Sequence, residues 1–128
     1  MTSAIDATEA ATFTALDGNV VGSTIYQHVP EDTPPPVTII GDMEAVPLGA
    51  KDDKDRRVSL TLVTIVEAEE RKPLSAIQDQ LETLLDGKTF TVPGWRLSFV
   101  FESADGAQLP DGETYLGNSR FTVFAFAA

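Results

Sequence analysis

The fold is decided by the stretch VSLTLVTIV at residues 58–66, which is rich in β-branched and aliphatic side chains. Successive side chains of an extended strand point to opposite faces. Val58, Leu60 and Leu62 share one apolar face, whereas the other face is polar at Ser59 and becomes apolar from Val63 onward. We therefore predict a strand that is covered along its whole length on one side and only partly on the other.

The segment that follows this strand predicts an amphipathic helix. Pro73 suits the first turn of a helix, and Asp86-Gly87 provides a stop. Between them, apolar residues recur at the helical period, namely at Leu74, Ile77, Leu81, Leu84 and Leu85. A shorter helix is predicted within the first sixteen residues, where Ile5, Phe13 and Leu16 form only a thin apolar stripe.

Further extended segments lie on both sides of these elements. Their alternating or β-branched residues place them at 20–29, at 37–40 after the proline run, at 95–102 and at 115–127. This order predicts an α+β fold in which a mainly antiparallel sheet packs with one long and one short helix, in a single domain spanning residues 1–128. The core is expected to contain Leu60, Leu62, Ile77, Leu81, Trp95, Phe99 and Phe121.

The last predicted strand is apolar on both faces near its end. Phe121 and Val123 share one face, and Phe124 and Phe126 share the other. A single two-layer domain would leave the second face polar, so either the first helix or a neighbouring subunit must cover it.

Residues 44–57 predict an exposed, mobile loop. The segment is polar, includes Gly49 and is longer than a simple connection requires. It ends in a charged cluster that is a candidate subunit or tube interface, formed by Asp52, Asp53, Lys54, Asp55 and Arg56. Two Asp-Gly pairs in residues 105–112 predict a second wide loop.

Composition argues against several function classes. Twenty acidic and nine basic residues give a net charge of −11, which disfavours attraction to nucleic acid or to anionic membranes. The chain has no cysteine and one histidine, His28, so zinc and nucleophilic chemistry lack their usual residues. No apolar run is long enough to span a bilayer. The twenty carboxylates leave acid–base catalysis open by count alone, but no motif argues for it. We expect a soluble, intracellular protein that is not an enzyme, has no metal or cofactor, and binds no specific nucleic acid sequence.

Two segments carry a family resemblance. Residues 25–30, IYQHVP, look like a "valine-tyrosine, two residues, valine-proline" stretch, and residues 35–41, PPVTIIG, look like a proline-led strand that ends in glycine. Together with the short first helix and the strand–helix pair, they resemble the tail completion proteins, which are the tail terminators of long-tailed phages, gene transfer agents and prophages.

The resemblance implies an α+β subunit that assembles as a hexameric ring on the head-proximal end of the virion tail. Its implied partners are further copies of itself, the tail tube protein and a head–tail connector or neck protein, with DNA passing through the lumen. Synthesis would take place in the host cytoplasm. Phe124 and Phe126 are expected to help seal neighbouring subunits. Two alternatives stay open, namely another connector or neck protein and a small non-catalytic binding or adaptor domain.

Overall fold

Six strands form one sheet in the computed structural model, which describes residues 2–49 and 53–128. In chain order the elements are α1 (Ala4–Leu16), β1 (Thr24–Tyr26), β2 (Val37–Pro47), β3 (Arg56–Glu67), α2 (Lys72–Leu85), β4 (Thr89–Val92), β5 (Trp95–Gln108) and β6 (Thr114–Ala127). The strands are ordered β1-β2-β3-β6-β5-β4 across the sheet. Among these described strands, β1 pairs in parallel with β2, and the other pairs are antiparallel. The predicted α+β class is confirmed, and the sheet is mixed with mostly antiparallel pairs.

The two helices are nearly equal in length, which corrects the expectation of one long and one short helix. α1 has 13 residues and α2 has 14. α1 begins early because the Ser3 side chain accepts a hydrogen bond from the Asp6 N–H at 3.0 Å and caps the helix. Its apolar stripe looks thin in the sequence because it packs through small residues, including Ala7, Thr8 and Ala11.

The core lies between one face of the sheet and the two helices. The seven residues expected there are all buried in a single cluster, which confirms the core prediction. α2 contributes Leu74, Ile77, Leu81 and Leu85, whose exposure is between 0 and 3%. The helical period therefore identified the buried face of α2 correctly.

The loop predicted at 44–57 is shorter than expected. β2 continues to Pro47 and β3 begins at Arg56, so that Val46 pairs with Arg57. The sequence pattern did not predict this pairing because one face of the hairpin is exposed to solvent. On that face Glu44 pairs with Ser59, and both residues are exposed. Ala45 and Met43 pack against the core from the other face. Mobility of the remaining connection stays a prediction, and residues 50–52 lie outside the described residues.

Two further differences concern the last part of the chain. Asp105-Gly106 lies inside β5, because Asp105 pairs with Asn118 and Gly106 with Gly117 of β6. The loop predicted at 105–112 is therefore reduced to a turn after Gln108. β4 was not predicted, since its four residues are half-exposed and pair only with the start of β5.

Candidate interaction surface

Both helices cover the same face of the sheet. Buried residues of α1 and α2 join a single cluster with the buried residues of β3, β5 and β6. α1 therefore does not cover the outer side of β6, which removes one of the two explanations for its apolar residues. Within residues 2–49 and 53–128, no helix packs on the second face, which we call the open face.

The middle of the open face is polar. Arg120 of β6 and Asp105 of β5 form a salt bridge with 2.6 Å between Nη1 and Oδ2, and both side chains are about half exposed. The Asn118 side chain donates to the other Asp105 carboxylate oxygen at 3.1 Å. The Arg120 hydrogen bond, followed by that of Asn118, lowers the pKa of Asp105 below its ordinary value of 3.8. This region remains ionised and hydrated at neutral pH.

One end of the open face combines aromatic and cationic side chains. Arg57 of β3 pairs across the ladder with Phe124 of β6, and Arg96 of β5 pairs with Phe126. The Arg96 guanidinium lies over the Phe126 ring, 5.2 Å from its centroid. Both phenyl rings are only half-buried, and both arginines are exposed. We call these four residues the cationic end.

The opposite end of the sheet is apolar with an acidic rim. A groove of about 260 Å³ lies between α2 and the segments that precede β1 and β2, and it is lined chiefly by Val21, Pro35, Pro36, Val66, Pro73 and Ile77. Glu67, the last residue of β3, also lines it, and the exposed Glu69 and Glu70 follow after Ala68. The exposed Arg71 and Lys72 come next, before Pro73, and the Arg71 guanidinium donates to the Gly106 carbonyl oxygen of β5 at 3.1 Å. We call this the acid-rimmed groove.

Val21 is held in a fixed position at the edge of this groove. Val21 is 81% exposed. Branched aliphatic residues are usually buried, and few large apolar residues are exposed in the described part of the chain. The Gln80 side-chain amide accepts from the Val21 N–H at 2.7 Å and donates to the Val21 carbonyl oxygen at 2.8 Å. This clamp from α2 presents Val21 to solvent on a rigid backbone.

The charged cluster predicted as an interface has contacts within the subunit. The Asp55 carboxylate accepts from the Ala127 N–H at 2.8 Å, and the Asp53 carboxylate accepts from the Asp55 N–H at 3.0 Å. Arg56 donates to the backbone oxygens of Asp53 and Asp55, both at 2.9 Å. Lys54 is exposed, and Asp52 lies outside the described residues.

These contacts bring the cluster to the end of β6, beside the cationic end. The fold thus places both sets of predicted interface residues, Asp53 to Arg56 and the pair Phe124 and Phe126, at the same end of the sheet. Their participation in a subunit contact stays a prediction.

Comparison with known proteins identifies the family. The family model for "Tail completion protein gp17" matches residues 9–125, which is most of the chain. The chain belongs to this family. A tail completion protein is a structural part of a phage-type virion tail, so the family assigns a structural rather than an enzymatic role and a location in the virion.

A solved structure shares the fold of this tail completion protein. A chain of the "Virion of native gene transfer agent (GTA) particle" superposes with a TM-score of 0.79 at 17% sequence identity. The match covers 91% of this chain and 92% of that chain. No curated protein sequence matches.

The described residues of the tail completion protein include neither a metal-ligand cluster nor a membrane-spanning helix. Residues 2–49 and 53–128 contain no group of three or more His, Asp or Glu side chains placed to hold a metal ion. In the same residues, no helix is both long and apolar enough to cross a bilayer. His28 is exposed in the segment between β1 and β2.

Sequence reasoning missed Arg57, Arg96 and the acid-rimmed groove. The two arginines become part of a surface only when the ladder places them beside Phe124 and Phe126. The groove is assembled from four separate segments of chain. Only the alternation of Arg96 with Trp95 and Leu97, which marks Arg96 as outward-facing, could have pointed to this surface.

Proposed function

We propose that the protein is a tail terminator, in which a ring of about six copies caps the tail tube, ends its polymerisation and offers a surface for joining the head. The observation that carries the proposal is the uncovered sheet face of a tail completion protein, with aromatic residues at one end. A structural ring needs surfaces of this kind beyond the subunit's own core, and it needs no catalytic residues.

The pattern of the open face supports assembly. Phe124, Phe126 and the 40% exposed Val100 are apolar groups that a lone subunit leaves in contact with water. Burial removes apolar surface from water and is favourable by about 25 cal/mol per Å². The polar middle with Arg120 and Asp105 keeps the free subunit soluble before it assembles.

The excess of acidic residues supports a passage for DNA. If the genome crosses the ring, a lumen rich in Asp and Glu repels the phosphates and prevents the DNA from sticking. The net charge of −11 supplies many candidates, and the exposed Asp111 in the turn between β5 and β6 is one of them. A basic lumen would instead bind the DNA and slow its transit.

Deletion of the gene tests the proposal. A phage or prophage that lacks this protein should accumulate filled heads and separate tails of abnormal length, as seen by electron microscopy. Expression of the wild-type protein in trans should restore normal tails, which controls for effects on neighbouring genes. Tail length is the decisive readout, because a terminator is needed to end tube growth.

Other phenotypes would reject the terminator role. Tails of normal length that stay separate from heads would indicate a connector or neck protein instead. Normal-length tails attached to heads would contradict any essential role in completion. A strictly monomeric protein, both alone and on purified tail tubes, would contradict the ring.

A further inference from the structure

The two ends of the sheet are complementary to each other. β3 carries Arg57 near its start and Glu67 at its end, and both side chains lie on the open face. Ten residues of extended chain separate them by about 33 Å. One end therefore presents cations with two half-buried aromatic rings, and the other presents an apolar groove that Glu67 lines, with Glu69 and Glu70 nearby in the chain.

We propose that the cationic end of one copy docks onto the acid-rimmed groove of a second copy. In this contact Phe124 and Phe126 meet the apolar lining, and Arg57 and Arg96 meet the carboxylates that begin at Glu67. The inference rests on the proposed ring and specifies which surfaces form it.

Charge complementarity favours a second copy of the protein as the partner that docks in the groove. The protein carries eleven more acidic than basic residues, so two copies repel each other over most of their surfaces. The cationic end is a place where approach of another copy is favoured, and the same chain supplies an acidic surface to receive it. Complementary charges at an interface steer encounter and suppress wrong orientations.

The opposite directions of the two ends allow the contact to repeat from one copy to the next. The two ends of the sheet point in opposite directions along the strands, so a copy that docks by its cationic end leaves its own groove free for the next copy. Such a head-to-tail contact is heterologous, and it gives a closed ring when the rotation between copies closes. A contact between identical patches would stop at a dimer.

Charge reversal at each end tests the contact. The first variant carries Arg57→Glu and Arg96→Glu, and the second carries Glu67→Lys and Glu69→Lys; all four positions are exposed. Each variant alone should associate about 100-fold more weakly than wild type or worse, because both ends then carry charge of the same sign. Assembly is measured by light scattering on the protein alone and by imaging of protein added to purified tail tubes.

An equimolar mixture of the two variants should assemble again. The reversed cationic end of the first variant is acidic and meets the lysines of the second, while the arginines of the second meet the acidic groove of the first. The mixture therefore forms alternating rings. This recovery also shows that both variants are folded, because a misfolded partner would not restore assembly.

A matched control separates local from general charge effects. Asp17→Lys with Asp79→Lys changes the net charge by the same +4 as the second variant, at exposed positions on or beside the helices. This control should assemble like wild type. Loss of assembly in the control as well would overturn the assignment of the contact to the sheet ends.

The remaining outcomes distinguish this inference from the proposed function. Wild-type rings together with unimpaired rings of either charge-reversed variant would overturn the docking surface and leave the terminator role intact. A mixture that fails to assemble, or that stops at dimers, would overturn the head-to-tail contact. Absence of wild-type rings on tail tubes would instead refute the ring itself.

Discussion

Leu74 of α2 enters a gap between β5 and β6 that two glycines leave open. Gly106 and Gly117 are paired across the ladder, and Leu74 above them is fully buried. A Cβ atom added at Gly106 would lie 2.6 Å from Leu74 Cδ2, and its next neighbour would be 3.8 Å away. Replacing Gly106 with alanine should therefore change the stability of the fold almost entirely through the contact between the new methyl group and Leu74.

The expected magnitude follows from two opposing terms. Overpacking a core by one methyl group costs roughly 1–3 kcal/mol, and alanine is favoured over glycine in a strand by roughly 0.5–1 kcal/mol. Gly106→Ala should then lower the free energy of unfolding by about 0–2.5 kcal/mol. Leu74→Ala alone should lower it by roughly 2–5 kcal/mol, because it leaves a cavity.

Combining the two substitutions gives the sharper result. With Leu74 shortened, the new methyl group enters vacated space, so Gly106→Ala should become neutral or stabilising. The two changes should show a coupling energy of about 1–3 kcal/mol. The assay is urea unfolding of the monomer, followed by the fluorescence of Trp95, which is the single tryptophan and is 4% exposed.

Leu81→Ala provides the matched background, because Leu81 is buried on the same helix but is not among the atoms near Gly106. In that background Gly106→Ala should cost as much as in wild type. Equal costs of Gly106→Ala in all three backgrounds would refute the assignment of Leu74 to the glycine gap.

Three further predictions concern other parts of the molecule. Leu81→Ala should itself cost roughly 2–5 kcal/mol, and an unchanged thermal midpoint would contradict the buried face of α2. Arg120→Ala should raise the pKa of Asp105 toward 3.8 in an NMR titration. Because the folded pKa is lowered, the Asp105 contacts contribute stability above pH 3.8 that is lost as pH falls through the folded pKa. The variant should show a weaker dependence of this kind, because the Asn118 hydrogen bond to Asp105 remains. Between β2 and β3, the amides of Gly49 and Lys54 should exchange hydrogen quickly in a monomer and slowly after assembly; strong protection in the monomer would contradict the mobile connection.

The elements predicted most accurately are those whose burial follows a simple period. β3 and α2 bury one complete face each, so alternation and the 3.6-residue repeat identified them. The end of β2 was missed because Glu44 and Val46 lie on the open face, where no burial constrains the residue type. Gly106 was assigned to a loop, although its small size serves the packing of Leu74 inside β5.

The candidate surface was only half predictable for a related reason. Phe124 and Phe126 stand out because two aromatic residues on a face expected to be polar need an explanation. Arg57 lies more than sixty residues away in the sequence, and only the β3–β6 register places it beside Phe124. Long-range pairing of this kind leaves no local trace in the residues involved.

The edges of the sheet also favour contacts through its ends. Free strand edges invite uncontrolled pairing with other chains, and proteins guard them with bulges and charged residues. The outermost strands β1 and β4 are short, so the rest of each edge is formed by β2 and β5. In these stretches β2 has a bulge between Ile40 and Met43, next to Asp42, and β5 has one between Phe101 and Ser103, at Glu102. Both edges are thus protected against open-ended sheet growth. Guarded edges leave the two ends of the sheet as the place for the proposed head-to-tail contact, which closes on itself instead of growing without limit as paired edges would.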